Sequence, residues 1–300
     1  MSADPVAENM PAVIADRPAT AVAAPTRRRR RRRPSLWHLF LAPTALIFVI
    51  PLVQMMLASF SPAKDLVTFP PPFIPSRLTV SGYIGLFTGT GIVRWLINST
   101  IVAGTAIISN IVLCSLAGYG FARLHFRGRN FGFLGIVATI MIPTQLLMIP
   151  TYILFSKLGL LNGLGAAIVP WLATTFGIFL MRQFFLSLPA ELEEAGMIDG
   201  ANRWQIFLRI VLPLAKPALA TLAIFTLLGA WNDLVWPLIA INNDAAFTVQ
   251  LGIANFQGSR RTEWSLLMAA NAVATAPLII FFLIAQRQFI ATMTFTGLKA

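Results

Sequence analysis

Charged side chains are absent from long stretches of this chain, and that absence limits what it can fold into. No Asp, Glu, Lys or Arg occurs between Arg33 and Lys64, Arg94 and Arg123, Arg129 and Lys157, Lys157 and Arg182, or Glu263 and Arg287. A shorter gap, Lys216 to Asp233, continues past the acid through the apolar run LVWPLIAI. With that continuation counted, each gap approaches or exceeds the roughly 20 apolar residues that carry a helix across a bilayer. In lipid the backbone must satisfy its own hydrogen bonds, which leaves helices or a closed barrel. A barrel needs segments of about ten residues with alternating polarity, and no such segment is present. The expected fold class is an all-α integral membrane protein with six transmembrane helices. The balance of 57% hydrophobic to 11% charged residues excludes an ordinary soluble domain.

Read in order, residues 1–34 are rich in Ala, Pro and Arg, lack apolar periodicity, and read as a disordered basic tail. Residues 35–290 form the transmembrane domain, and 291–300 a second tail. The first span, Leu36 to about Phe60, is too long for a signal peptide's apolar region and is read as uncleaved. The second runs from about Trp95 to Ala122. The third, Phe131 to about Phe155, contains Pro143 and Pro150, which predict a kink and freed carbonyls. The fourth runs from Ala166 to Met181, the fifth from about Pro217 to Ile241, and the sixth from about Trp264 to Gln286.

One polar island interrupts this pattern. Ser187 to Pro217 holds Glu191, Glu193, Glu194 and Asp199, four of the chain's eleven acidic residues. Two short helices are expected. Ser187 is the expected cap of the first, Pro189 suits an early position, and the glutamates sit where the helix dipole favours them. Gly200 is the natural stop. The second helix, Ala201 to about Leu212, would gather Trp204, Phe207, Leu208 and Val211 on one face, before Pro213 and Pro217 turn the chain back. An exposed, preorganised loop of this kind suits docking to a soluble partner.

The net charge of +12 owes much to the run Arg27 to Arg33. Beside the first span, that run is explained by membrane topology and anionic lipid rather than by nucleic acid. Excluding the long tail, both termini inside puts nine basic residues in the cytoplasm against six outside. The Arg run strengthens the bias, so both termini, Arg127 and the polar island are expected in the cytoplasm. A single cysteine, Cys114, precludes a disulfide framework and reads as a small buried residue. No phosphate-binding Gly-Lys-Ser/Thr loop, paired metal ligands or nucleophile constellation is found in the sequence. No cofactor and no catalysis by the chain itself are expected, so any work it does must draw energy from a partner or an ion gradient.

The island carries a resemblance. Glu194-Ala195-Gly196, Asp199-Gly200-Ala201, Phe207, Ile210, Leu212-Pro213 and Pro217 resemble the coupling loop of ABC importer permeases, notably the MalG-like branch of maltose-type sugar systems. Gly196 departs from the pattern, standing where a second alanine is usual. Glycine costs a helix interior roughly 1 kcal/mol relative to alanine, so a shorter or softer first helix is expected. Further likeness lies in Asn98-Ser99-Thr100, Ala122-Arg123-Leu124, Arg127-Gly128-Arg129, Arg182-Gln183-Phe184-Phe185, Trp231-Asn232-Asp233 and Trp236-Pro237-Leu238. It covers roughly Trp37 to Lys299.

The resemblance implies a type I importer permease in a bacterial plasma (inner) membrane. It would pair with a second permease subunit, ATPase subunits and an extracytoplasmic sugar-binding protein. Glu194, Ala195, Asp199, Gly200, Ala201, Phe207 and Pro213 would then couple to the ATPase, with a secondary contact from the C-terminal tail.

Polar residues within spans mark either a substrate path or interhelical glue, since exposing them to lipid is costly. Asn98, Asn110, Gln145, Asn232, Asp233 and Asn271 are such residues. Trp231, Asn232, Asp233 and Trp236 combine aromatic walls with planar polar groups, the chemistry a sugar needs. The same residues equally suit outer-surface packing or a binding-protein contact. Importers of other polar solutes, secondary transporters and membrane-bound assembly subunits remain alternatives. Against a secondary transporter, no midplane ion-coupling charges and no internal repeat are apparent.

Overall fold

The computed structural model describes residues 37–258 and 262–296. The expectations for residues 1–34, the Arg27–Arg33 run, Arg260, Arg261 and the C-terminal residues beyond Thr296 fall outside the described residues. The chain divides into two compact units, up to Phe48 and from Val49 onward. The described part of the first unit, from Trp37, is helical and belongs to helix Trp37–Ser59. Thr44 Oγ1 donates back to the Phe40 carbonyl within it, at 2.8 Å.

The second unit is a helical bundle with no β-strand among the described residues. Four helical stretches are long and apolar enough to cross a membrane: Phe40–Ser59, Ile92–Arg123, Leu164–Ser187 and Trp264–Ile284. Two bent pairs, Arg129–Met141 with Thr144–Lys157 and Arg203–Leu214 with Lys216–Asn232, raise the total to six if each pair counts as one span. The last helix continues to Thr296.

Helix Ile92–Arg123 is the axis of the bundle. Its buried side chains enter all three hydrophobic clusters: Trp95 and Ala106 in one, Cys114 and Tyr119 in another, Val102 in the third. Small residues let the fourth span approach it closely. A Cβ on Gly118 would lie 2.7 Å from the Met181 Cβ, and one on Gly177 would lie 2.8 Å from the Cys114 sulfur. Cys114 is fully buried, as its reading required. Asn98 donates to the Ala245 and Phe247 carbonyls, and Ser99 Oγ accepts from the Val249 N–H at 2.8 Å. Those bonds tie the fifth-to-sixth connection to the start of the axial helix, so Asn98 acts as glue.

Three spans are broken, the third where a kink was expected and the fourth and fifth where continuous helix was expected. The third does more than kink: a 3₁₀ turn at Thr139–Met141 and Pro143 divide it, and its halves meet at 103°. The fourth passes through a 3₁₀ turn at Val169–Trp171 and restarts at Thr175, with Thr174 Oγ1 capping the Gly177 N–H. The fifth ends at Asn232. Asp233 is extended (φ −68°, ψ 116°), and a separate helix follows at Val235–Ala240. Proline accounts for the first break, whose Pro143 cannot donate a helical hydrogen bond.

Candidate coupling loop and membrane cavity

Two places concentrate chemistry: the loop between the fourth and fifth spans, and a cavity where the broken spans meet. The loop's first helix is Glu191–Ile198, and it keeps its full course across Gly196. Gly196 is buried against the second half of the loop. A Cβ at Gly196 would sit 2.8 Å from Ile210 Cδ1 and 3.3 Å from Ile206 Cγ1. Gly200 ends the helix at φ +82°. The Ala201 N–H reaches the Gly196 carbonyl and the Gly200 N–H the Met197 carbonyl, the paired bonds of a left-handed glycine stop. Ser187 does not cap this helix. It belongs to helix Thr175–Ser187, where its hydroxyl turns back to the Phe184 carbonyl at 2.7 Å, and Ala190 takes the cap position.

The second half opens with a reciprocal cap, Asn202 Oδ1 accepting from the Gln205 N–H and Gln205 Oε1 from the Asn202 N–H, both at 2.9 Å. After helix Arg203–Ile206 the chain widens into a π-turn at Phe207–Val211, then Leu212–Leu214. The wider turn breaks the register on which the expected apolar face depended. Ile206, Phe207 and Val211 are buried, whereas Trp204 is 57% and Leu208 42% exposed.

The loop is anchored by Glu193. Its Oε1 lies 2.9 Å from Arg123 Nε, an ion contact rather than an aligned hydrogen bond, and its Oε2 accepts from the Tyr119 hydroxyl at 3.0 Å. Arg123 also donates to the Leu188 carbonyl. Phe207 packs on Tyr119, ring centroids 4.9 Å apart, and on Phe185. The end of the axial helix therefore grips both halves of the loop. Of the residues expected to couple to a partner, Glu194, Ala195, Asp199, Gly200 and Pro213 are exposed and Ala201 is half-buried. Phe207 is 3% exposed and packs inside the loop's base rather than on its exposed surface.

The second place is a cavity of about 550 Å³ lined by Gln145, Trp171, Thr174, Thr175, Asp233 and Trp236, among others. The indole Nε1–H of Trp171 donates to Asp233 Oδ2 at 3.1 Å. Thr139 and Thr175 share a hydrogen bond of 3.0 Å between the third and fourth breaks. Gln145 and Asp233, predicted separately, are thus brought to one wall. Asn110 is not part of it: fully buried, it donates to the Ala106 and Trp171 carbonyls and accepts from the Thr174 N–H and hydroxyl, so it repairs the fourth-span break as glue. Asn232 points elsewhere, donating to the Leu228 carbonyl and accepting from Gln250. Asn271 donates to its own helix at the Leu267 carbonyl.

Trp231 is buried and donates to the Ala274 carbonyl, so it forms core rather than wall. Trp236 lines the cavity while its Nε1–H is committed to the Ala166 carbonyl. Trp171 was missed. Its signal was Pro170 inside a span with Thr174-Thr175 close behind, a breaker followed by a capping residue.

Broken membrane-length helices around a largely apolar cavity that carries Gln145 and Asp233, with an anchored helical loop left exposed between two spans, fit a helical membrane permease. The chain belongs to the family described as "binding-protein-dependent transport system inner membrane component", which matches residues 110–294. It is similar to the arabinooligosaccharides transport system permease protein AraQ of Halalkalibacterium halodurans, 36% identical over 258 residues, 85% of this chain and 92% of the relative. It is also similar to the trehalose/maltose transport system permease protein MalG of Thermococcus litoralis, 31% identical over 260 residues, 85% of this chain and 93% of the relative. Among solved structures, a chain of a bacterial ABC transporter that imports the acidic polysaccharide alginate superposes with a TM-score of 0.72 at 22% identity, covering 85% of this chain and 95% of that one. That likeness supports the fold. The chain is therefore an inner-membrane permease subunit of the ABC importer type.

Proposed function

We propose that this permease imports a sugar, paired with a second permease, served by an extracytoplasmic binding protein and driven by cytoplasmic ATPase subunits that dock on the loop Glu191–Leu214. The single observation that carries the coupling reading is the division of labour between adjacent acids. Glu193 is turned inward onto Arg123 and Tyr119, and Glu194 is left exposed on a helix held rigid from below. An exposed acid on a short, anchored helix is suited to a charge-assisted contact with a basic residue of a partner. The sugar reading is supported by the similar permeases named for arabinooligosaccharides and for trehalose and maltose.

In this reading ATP binding closes the ATPase pair and moves the loop. The loop moves the axial helix through Glu193–Arg123 and Phe207–Tyr119, because packed interfaces transmit rigid-body shifts. The energy required is the difference in partner contact between inward-open and outward-open bundles. The test is purification of the complex through this chain, followed by ATP-driven uptake in proteoliposomes. Glu194→Lys is expected to lose the ATPase from the complex while the bundle still inserts. If Glu194→Lys and Gly200→Val both bind the ATPase and transport like the parent, the loop is not the coupling element.

A further inference from the structure

The turn between the axial helix and the bent third span gathers positive charge that no neighbouring acid neutralises. Helix Ile92–Arg123 ends there, and Gly128, at φ +81°, leads the backbone into helix Arg129–Ala138. The turn fixes itself. The Arg129 N–H donates to the Phe126 carbonyl at 3.3 Å, and Arg129 Nη1 donates to the Leu124 carbonyl at 3.2 Å. His125, Phe126 and Arg127 are left exposed. Arg182 joins them from helix Thr175–Ser187. Its Nε donates to the Phe121 carbonyl at 3.2 Å, and its guanidinium lies 3.9 Å from the centre of the Phe133 ring. Arg129 and Arg182 are close enough to repel one another. Among the described residues the one salt bridge joins Arg123 to Glu193, so Arg127, Arg129 and Arg182 have no acidic partner there. Like charges held together cost free energy, and an anion from outside the chain relieves it.

The surroundings decide which anion. Arg123 closes a 32-residue helix and donates to the Leu188 carbonyl beside the polar loop, which puts the turn at the rim of the apolar layer. Phe126 and Phe131 are 50% and 83% exposed, and Leu134, one helical turn beyond Phe131, is 64% exposed. With His125, Arg129 and Asn130, the two phenylalanines line a cleft of about 290 Å³. A free phosphate or an acidic peptide would leave those apolar side chains in water. A lipid covers both the cations and the rings.

We propose that this turn binds an anionic phospholipid, with Arg127 and Arg129 on the headgroup phosphate and Phe131 and Leu134 along the acyl chains. Arginine presents five N–H donors in a fork that matches phosphate, so Arg129 keeps donors free after bonding Leu124. Basic clefts between membrane helices are suited to such headgroups. A zwitterionic lipid would bring its own ammonium beside three arginines, which favours the anionic lipid. A lipid seated there braces the junction between the axial helix and the third span, whatever solute is carried.

The test uses the full chain, purified in detergent with the subunits that accompany it. Bound lipid is counted by native mass spectrometry during titration with phosphatidylglycerol or phosphatidylcholine. The parent is expected to bind phosphatidylglycerol about tenfold more tightly than phosphatidylcholine. Arg127→Gln should weaken phosphatidylglycerol binding about fivefold, and Arg127→Gln with Arg129→Gln about thirtyfold, the increment expected per basic residue at an anionic lipid. Arg209→Gln removes the same charge from an exposed position on the polar loop and should stay within about twofold of the parent. The Arg27–Arg33 run is present in every sample and drops out of the comparison.

Equal affinity of the parent for the two lipids overturns the proposal. So does unchanged phosphatidylglycerol affinity in Arg127→Gln, which leaves the turn's own hydrogen bonds in place. An equal loss in Arg209→Gln assigns the effect to bulk charge and overturns it as well. Inorganic phosphate that displaces phosphatidylglycerol at matched concentration marks a free-anion site and overturns the lipid assignment. Loss of an accompanying subunit from Arg127→Gln, with lipid affinity unchanged, marks an acidic protein partner in the lipid's place.

Discussion

At the scale of single residues, neighbouring side chains of one type have opposite fates. Glu193 and Glu194 are indistinguishable by composition, and the sequence reading concentrated on Glu194. It is Glu193 that is buried, because helix Glu191–Ile198 presents it to Arg123 and Tyr119 at the end of the axial helix. The partners are 74 and 70 residues apart from Glu193 in sequence, as Tyr119 and Arg123, so no local pattern links them. Removing one member leaves the other charge half-desolvated. Glu193→Ala is therefore expected to cost roughly 1.5–3 kcal/mol, the range for hydrogen bonds to charged groups. Glu191→Ala, on the exposed face, should stay within about 0.5 kcal/mol. Thermal unfolding of the purified complex in detergent reads both, and equal shifts for the two would remove Glu193 as the anchor. Gly196 shows the same contrast between propensity and packing. Gly196→Ala gains helix propensity but must displace Ile210, so a stability change well below the 1 kcal/mol of propensity alone is expected.

At the scale of elements, the spans were legible because lipid forbids charge, and that rule acts over whole segments. The breaks within them were less legible. Pro143 announced one, but the restart at Thr175 depends on Asn110 bonding across from another helix, and Asp233 leaves its helix to meet the Trp171 indole. Both are tertiary effects with no periodic trace. The π-turn at Phe207–Val211 is likewise invisible to a 3.6-residue reading, which is why Trp204 and Leu208 were assigned to the wrong face. The loop's turn was read correctly, since the left-handed Gly200 follows from residue type. Gly200→Val should cost roughly 1–3 kcal/mol of local strain. Because the strain lies between the two halves of the loop, coupled transport is expected to fall further than stability, measured as uptake per ATP hydrolysed. Asn202→Ala removes the reciprocal cap and should cost about 1 kcal/mol. A protease-protection assay on the loop would detect it as faster cleavage near Arg203.

At the scale of the whole molecule, the direction each loop faces turns on the bent third pair. If Arg129–Met141 and Thr144–Lys157, meeting at 103°, returned to the face they left, every later loop would be inverted. The packing argues for a crossing. At one end, Arg123 and Leu188 meet beside the polar loop. At the other, Phe155 stacks edge-on against Trp236 at 5.2 Å, and Asn162 exchanges bonds with the Ala240 carbonyl and the Asn242 N–H. Residues 155–162 therefore sit with 236–242, at the far end of the fifth span from Lys216, where the polar loop joins it. With the basic residues 123–129 on the cytoplasmic side, reporter fusions at Pro71, Arg127, Gly163, Glu193, Asn243 and the C-terminus are expected to read out, in, out, in, out, in. The Gly163 and Glu193 fusions carry the most weight. A re-entrant third pair would report Gly163 inside and Glu193 outside, and an outside Glu193 could not meet a cytoplasmic ATPase whatever its charge.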